Sequence, residues 1–314
     1  MSATGKSIAL HTAVVAVLLV LHFVLPAYHH GNLARIMVLA VYAMGYNLVF
    51  GYTGLLSLGH ALYFAAGMYG FGLAMQHLDF SAGPALLVGI AASLVVSAVA
   101  GALVLRTAGV ALMIVTLMFA QAGFLTILYF GEWTRGDEGF VIQQAERVLA
   151  GIDLSDAGNR YLFGLLMFSA CLALTLRLVR SPFGQVLVAI RENEERTRML
   201  GYDVARYKFL AFVISGVLSG TAGAAYGLLF GYVGASFASV QYSIFPLLWV
   251  LLGGASTVLG PFVGTLFMFY LIDISSGITT AYMVLAGVAL VVLTLFAREG
   301  LMGEVRRRAL PWLP

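Results

Sequence analysis

Charge is what this chain has least of. Only 10% of its 314 residues are Asp, Glu, Lys or Arg, against about 25% in ordinary soluble domains. That shortfall excludes a conventional water-soluble domain. The two most polar-leaning stretches, 131–160 and 177–208, are too short to hold a catalytic one. Cysteine is nearly absent as well. Cys171 stands alone in an apolar run, so no intramolecular disulfide can form. There is no GxxxxGK[ST] phosphate loop, which excludes ATP hydrolysis on this chain, and no HExxH or CxxC metal signature. No apolar stretch carries the several acids or bases of a proton- or sodium-coupled carrier. Any energy for transport must then enter from a partner. The lack of clustered His, Asp or Glu inside the apolar stretches also counts against a membrane enzyme.

What is abundant is hydrocarbon. The chain is 61% hydrophobic, with a mean hydropathy of +0.97, which puts it among polytopic membrane proteins. A helix crossing a bilayer core needs about 20 apolar residues. That length predicts an all-α bundle of about ten transmembrane helices in one membrane domain over 1–314. The spans fall at 8–26, 33–51, 54–75, 84–105, 108–130, 161–179, 207–230, 240–257, 259–276 and 279–297. The third and ninth are rich in Gly, Ser and Thr, which leaves open a broken or re-entrant course. Lys6 followed by an apolar run from Ile8 to Pro26, with no small-residue cleavage site, reads as a retained first span.

Lys and Arg favour the cytoplasmic side of short loops. The 177–208 insert carries Arg177, Arg180, Arg191, Arg196, Arg198, Arg206 and Lys208, and the tail carries Arg298, Arg306, Arg307 and Arg308. The 131–160 loop has only Arg135, Arg147 and Arg160 against six acids. Insert, tail and, by parity, the N-terminus are expected in the cytoplasm, with the acidic loop outside. Arg35 then falls on the outer side, against the rule. The net charge of +3 and pI near 9.0 reflect this topology and imply no nucleic acid.

The insert is the densest charge in the chain. Pro182 suits a first helical turn, and Gly201 suits a C-terminal stop. Phe183, Leu187 and Ile190 make an apolar stripe between them. Glu192 with Arg196 and Glu194 with Arg198 are i,i+4 pairs in the favourable order, each worth about 0.2–0.5 kcal/mol. The pattern predicts a surface helix over 181–201, with its apolar side on the bundle and a charged tip in solvent. A solvated loop that only sets topology needs the basic residues, but not the interleaved acids or the Pro start and Gly stop.

The segment SPFGQVLVAIRENEERTRMLGYDVARYK (181–208) and the span after it resemble the cytoplasmic coupling segment of LivM-type permeases, the membrane subunits of branched-chain amino acid ABC importers. GYTGLLSLGHALYFAAGMYG (51–70) and LLGGASTVLGPFVGT (251–265) resemble the same family, in the same order. The resemblance implies a bundle of the larger ABC-importer type in a bacterial inner membrane. It implies a second homologous permease, two cytoplasmic ABC ATPases that bind the ATP and Mg, and an extracytoplasmic substrate-binding protein. This chain would carry no cofactor. Arg191, Glu192, Glu194, Glu195, Arg198 and Gly201 would meet an ATPase. Branched-chain or other hydrophobic amino acids are the implied cargo, while related permeases carry urea, short amides or aromatic acids. A stand-alone channel or carrier is the alternative from a different class.

Other features carry two readings each. Small residues at i,i+4 let helix backbones approach in lipid. Gly216, Gly220 and Ala224 form one such row, Gly223, Gly227 and Gly231 another, and Gly260 and Gly264 a short third. These rows could line the pathway or an interface between permeases. The block holding Tyr52, Thr53, Gly54, Ser57 and His60 is polar for membrane depth and makes a candidate pathway element with an unwound helix start. For His60 itself a hydrogen bond to a neighbouring helix, the commoner role for a buried imidazole, is favoured over direct substrate contact. Asp273 reads as a wetted residue near the outer interface. The turn from Trp133 to Phe140 reads either as a contact for a delivering binding protein or as a solvated loop.

Overall fold

The computed structural model describes residues 3–297, 299–310 and 312. Arg298, one of the four tail arginines, lies outside them. Pro26 separates α1 (Ala3–Val24) from α2 (Ala27–Asn47); its fixed φ and missing N–H suit the start of a helix. Beyond Asn47 the second helix widens into a π-helical turn, Leu48–Tyr52, and the chain runs without regular structure from 53 to 59. Then come α3 (His60–Leu78), α4 (Ala82–Val104), α5 (Val110–Tyr129) and the short α6 (Gly131–Thr134). A loop bearing β1 (Phe140–Val141), β2 (Val148–Leu149) and β3 (Ile152–Asp153) leads to α7 (Ala157–Arg180). The insert forms α8 (Pro182–Glu192) and α9 (Glu194–Met199) ahead of α10 (Val204–Phe230). The chain continues through β4 (Tyr232–Val233), α11 (Val240–Gly253), α12 (Gly260–Ser276), α13 (Tyr282–Phe296) and α14 (Gly300–Arg308).

The protein is mostly helical. Among the described residues, six helical stretches are long and apolar enough to cross a membrane: 5–24, 27–52, 82–104, 110–129, 157–180 and 204–230. The shorter α3, α11, α12 and α13 account for the other expected spans. The third expected span begins six residues late, at His60. The eighth stops at Gly253, because Gly254 (φ 114°) and Ser256 (φ 61°) leave helical space. The ninth, α12, is unbroken over 17 residues. At about 1.5 Å per residue, α11 is only about 21 Å long, short of the roughly 30 Å hydrocarbon core. The all-helical expectation also lacked four two-residue strands. β1 pairs with β4, Phe140 opposite Val233, and β2 pairs with β3.

α2 is the hub. From Leu33 to Asn47 only Arg35 escapes full burial, as expected of a helix apolar on every side. It packs against α7, α10, α11 and α12. The glycine rows of α10 face helices of the same chain. A Cβ on Gly220 would overlap Ser93 of α4, one on Gly216 would overlap Ser97, and one on Gly223 would overlap the Phe64 carbonyl of α3. At Gly227 a Cβ would stand 3.1 Å from the Phe71 ring. Neither a pathway nor an inter-subunit contact is needed to account for them.

Ile8 of α1 shares a cavity wall with Arg177, Arg180 and Ser181, and Arg306 of α14 reaches a loop beside α8. The start of α1, the insert and α14 therefore occupy one end of the bundle. The 131–153 loop closes the other end, where buried Arg147 donates to the Leu229 carbonyl at the end of α10 (3.2 Å).

Candidate coupling site

The three segments that stood out in the sequence meet at one point. Arg191, on the last turn of α8, donates from Nη1 to the Gly51 carbonyl (2.6 Å) in the π-helical turn. The same nitrogen bonds the Ser256 hydroxyl in the loop between α11 and α12. Ser256 Oγ in turn donates to the Gly51 carbonyl (2.7 Å). Below them, Asn47 clamps the loop in both directions. Its Oδ1 accepts from Ser256 N (3.1 Å) and its Nδ2 donates to the Thr257 carbonyl (2.9 Å). Arg306 of α14 completes the cluster by donating to the Ser256 carbonyl (3.1 Å).

Each part has a local cause. Widening at 48–52 turns the Gly51 carbonyl out of the helix ladder and makes it available. Gly51 cannot carry a side chain, because a Cβ would fall on Asn47 Oδ1 and within 2.7 Å of Ser256 N. Gly54 (φ 76°) lets the chain turn under the Arg191 stem, whose Cγ would stand 2.9 Å from a Cβ there. Thr257 Oγ1 accepts from Gly260 N (3.1 Å) and so starts α12.

The irregular 53–59 segment survives because protein hydroxyls satisfy it. Thr53 Oγ1 donates to the Leu48 carbonyl (2.9 Å), Thr116 Oγ1 of α5 accepts from Leu58 N (3.0 Å), and Ser243 Oγ of α11 accepts from Ala61 N (3.0 Å). Ser57 is buried and accepts from Gly59 N. Tyr52 is buried beside it. His60 is fully buried, with Nε2 2.8 Å from Ser215 Oγ of α10. That hydroxyl donates to the Gly45 carbonyl (2.5 Å), so it must accept from His60, which fixes the proton on Nε2. The imidazole packs edge-on against Tyr46 and Tyr63. Of the five candidate pathway residues, Thr53 and Gly54 line a cavity of about 280 Å³ with Arg191, Glu192, Glu194 and Lys208.

The insert differs in detail from a single helix over 181–201. Ser181 caps it and Pro182 opens it, while Leu187 and Ile190 are buried. The helix then breaks at Asn193 (φ −159°, ψ 102°), whose side chain caps a second helix by accepting from Arg196 N (2.9 Å). This break separates Glu192 from Arg196, and among the described residues no salt bridge joins them. Glu194 does bridge Arg198 (3.2 Å), and it also bridges Lys208 of α10 (2.5 Å). Arg191, Glu192, Glu195, Arg198 and Gly201 (φ 91°) are exposed. So are Met199 and Leu200, at 82% and 71%.

Asn47, Ser256 and Arg306 were missed as site residues. A buried amide at the end of an otherwise apolar span was the available signal for Asn47, and Ser256 lies within the 251–265 segment that resembles the LivM-type permeases. Nothing local marks Arg306 apart from its neighbours.

A helical bundle with a hub helix and a surface pair of helices hydrogen-bonded into a broken span has the build of a multi-pass membrane protein. The profile of a family described as the branched-chain amino acid transport system permease component matches residues 30–295. The chain belongs to that family, whose members are transporter permease subunits and not catalytic enzymes. It is 29% identical over 298 residues to the high-affinity branched-chain amino acid transport permease LivM of Salmonella typhimurium and 27% identical over 293 residues to LivM of Escherichia coli. Each alignment covers 86% of this chain and 69% of the relative. The autoinducer 2 import permease LsrC of Photorhabdus laumondii is 26% identical over 162 residues, 50% of this chain and 45% of its own. No solved structure matches.

Proposed function

We propose that this chain is one of two homologous permeases in an ATP-driven importer of the bacterial inner membrane, carrying branched-chain or other hydrophobic amino acids. Two ABC ATPases on the cytoplasmic side bind the ATP and Mg, and an extracytoplasmic binding protein delivers the cargo. The insert, tail and N-terminus lie in the cytoplasm. The exposed groups Arg191, Glu192, Glu195, Arg198 and Gly201, with Glu194 bracing them, meet an ATPase.

The observation that carries this reading is the Arg191–Gly51–Ser256 cluster. Motion imposed on α8 and α9 is handed to the end of α2 and to the loop that joins α11 and α12. A second tie, Glu194 to Lys208, hands it to α10. Packed helices shift between discrete arrangements and do not deform continuously, so a small displacement at this end can re-pack the whole bundle. The LivM relatives favour an amino acid as cargo; the partial match to autoinducer 2 permeases shows how widely related permeases range.

Co-purification with the neighbouring-gene ATPases and second permease, followed by uptake of labelled leucine into proteoliposomes, tests the reading. ATP-dependent uptake that needs every subunit is expected. Transport by this chain alone that survives ATP depletion, with no ATPase retained on purification, would leave a stand-alone channel or carrier as the answer.

A further inference from the structure

α1 is mostly exposed and packs chiefly on α7. Neither helix contains Asp or Glu. Toward the outer end they touch directly, where Tyr161 Oη donates to the Leu18 carbonyl (2.6 Å). Toward the insert a cavity of about 490 Å³ opens between them, within the ~300–1,000 Å³ range of small-molecule sites. Its lining changes character along α7. Ile8 of α1 with Ala173 and Leu176 of α7 make an apolar wall, and Arg177, Arg180 and Ser181 make the rim where α7 ends.

Arg177 and Arg180 stand three residues apart, so they share a helix face. Arg177 is exposed, and among the described residues no salt bridge joins it to an acid. Membrane topology accounts for arginines at this end. It does not account for an apolar groove directly above them, between two walls free of acids. Two cations at the foot of an apolar groove suit a ligand with the matching layout, an anionic headgroup at the interface and hydrocarbon above it. Basic pockets between transmembrane helices on the cytoplasmic side hold anionic headgroups in this way. A zwitterionic headgroup brings its own cation and gains less from two arginines. A soluble anion gains nothing from Ile8, Ala173 and Leu176.

We propose that the groove between α1 and α7 binds one anionic phospholipid, its phosphate on Arg177 and Arg180 and an acyl chain against Ile8, Ala173 and Leu176. The site goes beyond the permease reading and needs only that this end of α7 meet a membrane surface. The lipid also reaches the start of the insert. Ser181 lines the groove, donates to the Leu178 carbonyl (2.6 Å) and caps α8. The headgroup thus braces the joint from which α8 leaves α7, while the last turn of α8 carries Arg191 into the coupling cluster.

The test uses the full chain with its partner permease, stripped of lipid in detergent and followed by native mass spectrometry. Phosphatidylglycerol and phosphatidylcholine with the same acyl chains are titrated in turn. Phosphatidylglycerol should bind at least roughly tenfold tighter, the scale of two basic residues at an anionic headgroup. Arg177→Gln with Arg180→Gln should bring the two lipids close to equal. Arg177→Lys with Arg180→Lys should keep the preference and controls for misfolding. Arg307→Gln with Arg308→Gln removes the same charge from the same end of the bundle and should leave the preference intact. Ala173→Trp, which fills the groove and keeps both arginines, should weaken phosphatidylglycerol several-fold. Equal binding of the two lipids to the unaltered chain overturns the proposal, as does a preference lost equally with the tail pair. A preference that survives loss of Arg177 and Arg180 also overturns it, and if ATPase retention falls in that variant the arginines belong to the ATPase contact. Displacement of phosphatidylglycerol by an equal concentration of inorganic phosphate would leave the acyl chain no part in the site and overturn it too. None of these readouts depends on ATP or on uptake, so the lipid site and the importer reading stand or fall separately.

Discussion

Replacing Arg191 by methionine isolates the hydrogen bonds of the cluster from its packing. Methionine keeps most of the aliphatic stem that lies over Gly54 and removes only the guanidinium. Lost are the bond to the Gly51 carbonyl (2.6 Å) and the bond to Ser256. Kept are the Ser256 bond to Gly51 and the Asn47 clamp, so the loop stays in place and the damage is confined to the link with α8. A hydrogen bond from a charged donor is worth about 1.5–3 kcal/mol net. The lower end applies here, because Arg191 is exposed overall. If that energy biases the re-packing that follows ATP hydrolysis, losing about 1.5 kcal/mol shifts the equilibrium roughly tenfold. The assay is leucine taken up per ATP hydrolysed in proteoliposomes. ATP turnover should persist and uptake per ATP should fall about tenfold. An unchanged ratio would show that the cluster does not transmit motion, and a proportional fall in both quantities would show that it serves assembly instead.

Three further outcomes follow from other contacts. Glu192→Lys with Glu195→Lys should reduce ATPase retention on purification and uptake per ATP by roughly tenfold, since like charges at an interface are strongly unfavourable; normal retention would remove these acids from the docking surface. Glu194 is left out of that pair, because reversing it would also break its bridge to Lys208. Gly220→Leu forces a side chain into Ser93 of α4, where overpacking costs about 1–3 kcal/mol, and the yield of folded protein and its melting temperature should both drop; unchanged values would make the glycine incidental. At the surface of α14, hydrogen bonds from Arg307 and then Arg308 hold the Glu304 carboxyl below its ordinary value. A depressed acid stabilises above its unfolded pKa and loses that contribution as pH falls through the folded one. The protection of α14 amides against exchange, taken relative to the intrinsic rate at each pH, should therefore fall on acidification below the ordinary carboxylate range of about 4, and that fall should be lost in Glu304→Gln.

The sequence displayed what hydropathy and punctuation can display. Runs of apolar residues placed the long helices, Pro182 and the charge pattern placed the insert, and the three glycines within 51–60 announced a broken helix start. Asn193 was invisible as a helix break, because an asparagine between two glutamates has the same helical spacing whether it caps or continues. The cluster was legible only in pieces. Arg191 and the 51–70 block were each singled out, but what joins them is the Gly51 carbonyl freed by the π-helical turn and a serine more than 200 residues further along the chain. Backbone acceptors leave no mark on a sequence, and long-range partners follow from packing, not from local pattern. His60 was more readable: a hydrogen bond to a neighbouring helix is the commoner role for a buried imidazole, and Nε2 stands 2.8 Å from Ser215 Oγ of α10.

Asn47 and Gly51 emerge from the ribosome long before Ser256 and Arg306. At about 5–20 residues per second, the 259 residues between Asn47 and Arg306 take roughly 13–50 s to synthesise. Through most of that interval the Asn47 amide stands in an inserted helix without Ser256 and Thr257, and the Gly51 carbonyl waits first for Arg191 and then for Ser256. The hub of the bundle is thus laid down early but locked late, by a loop made more than 200 residues after it. A chain halted after α10 can hold its glycine-packed helices together and still lack the lock, so the cluster forms only once the loop between α11 and α12 has been made.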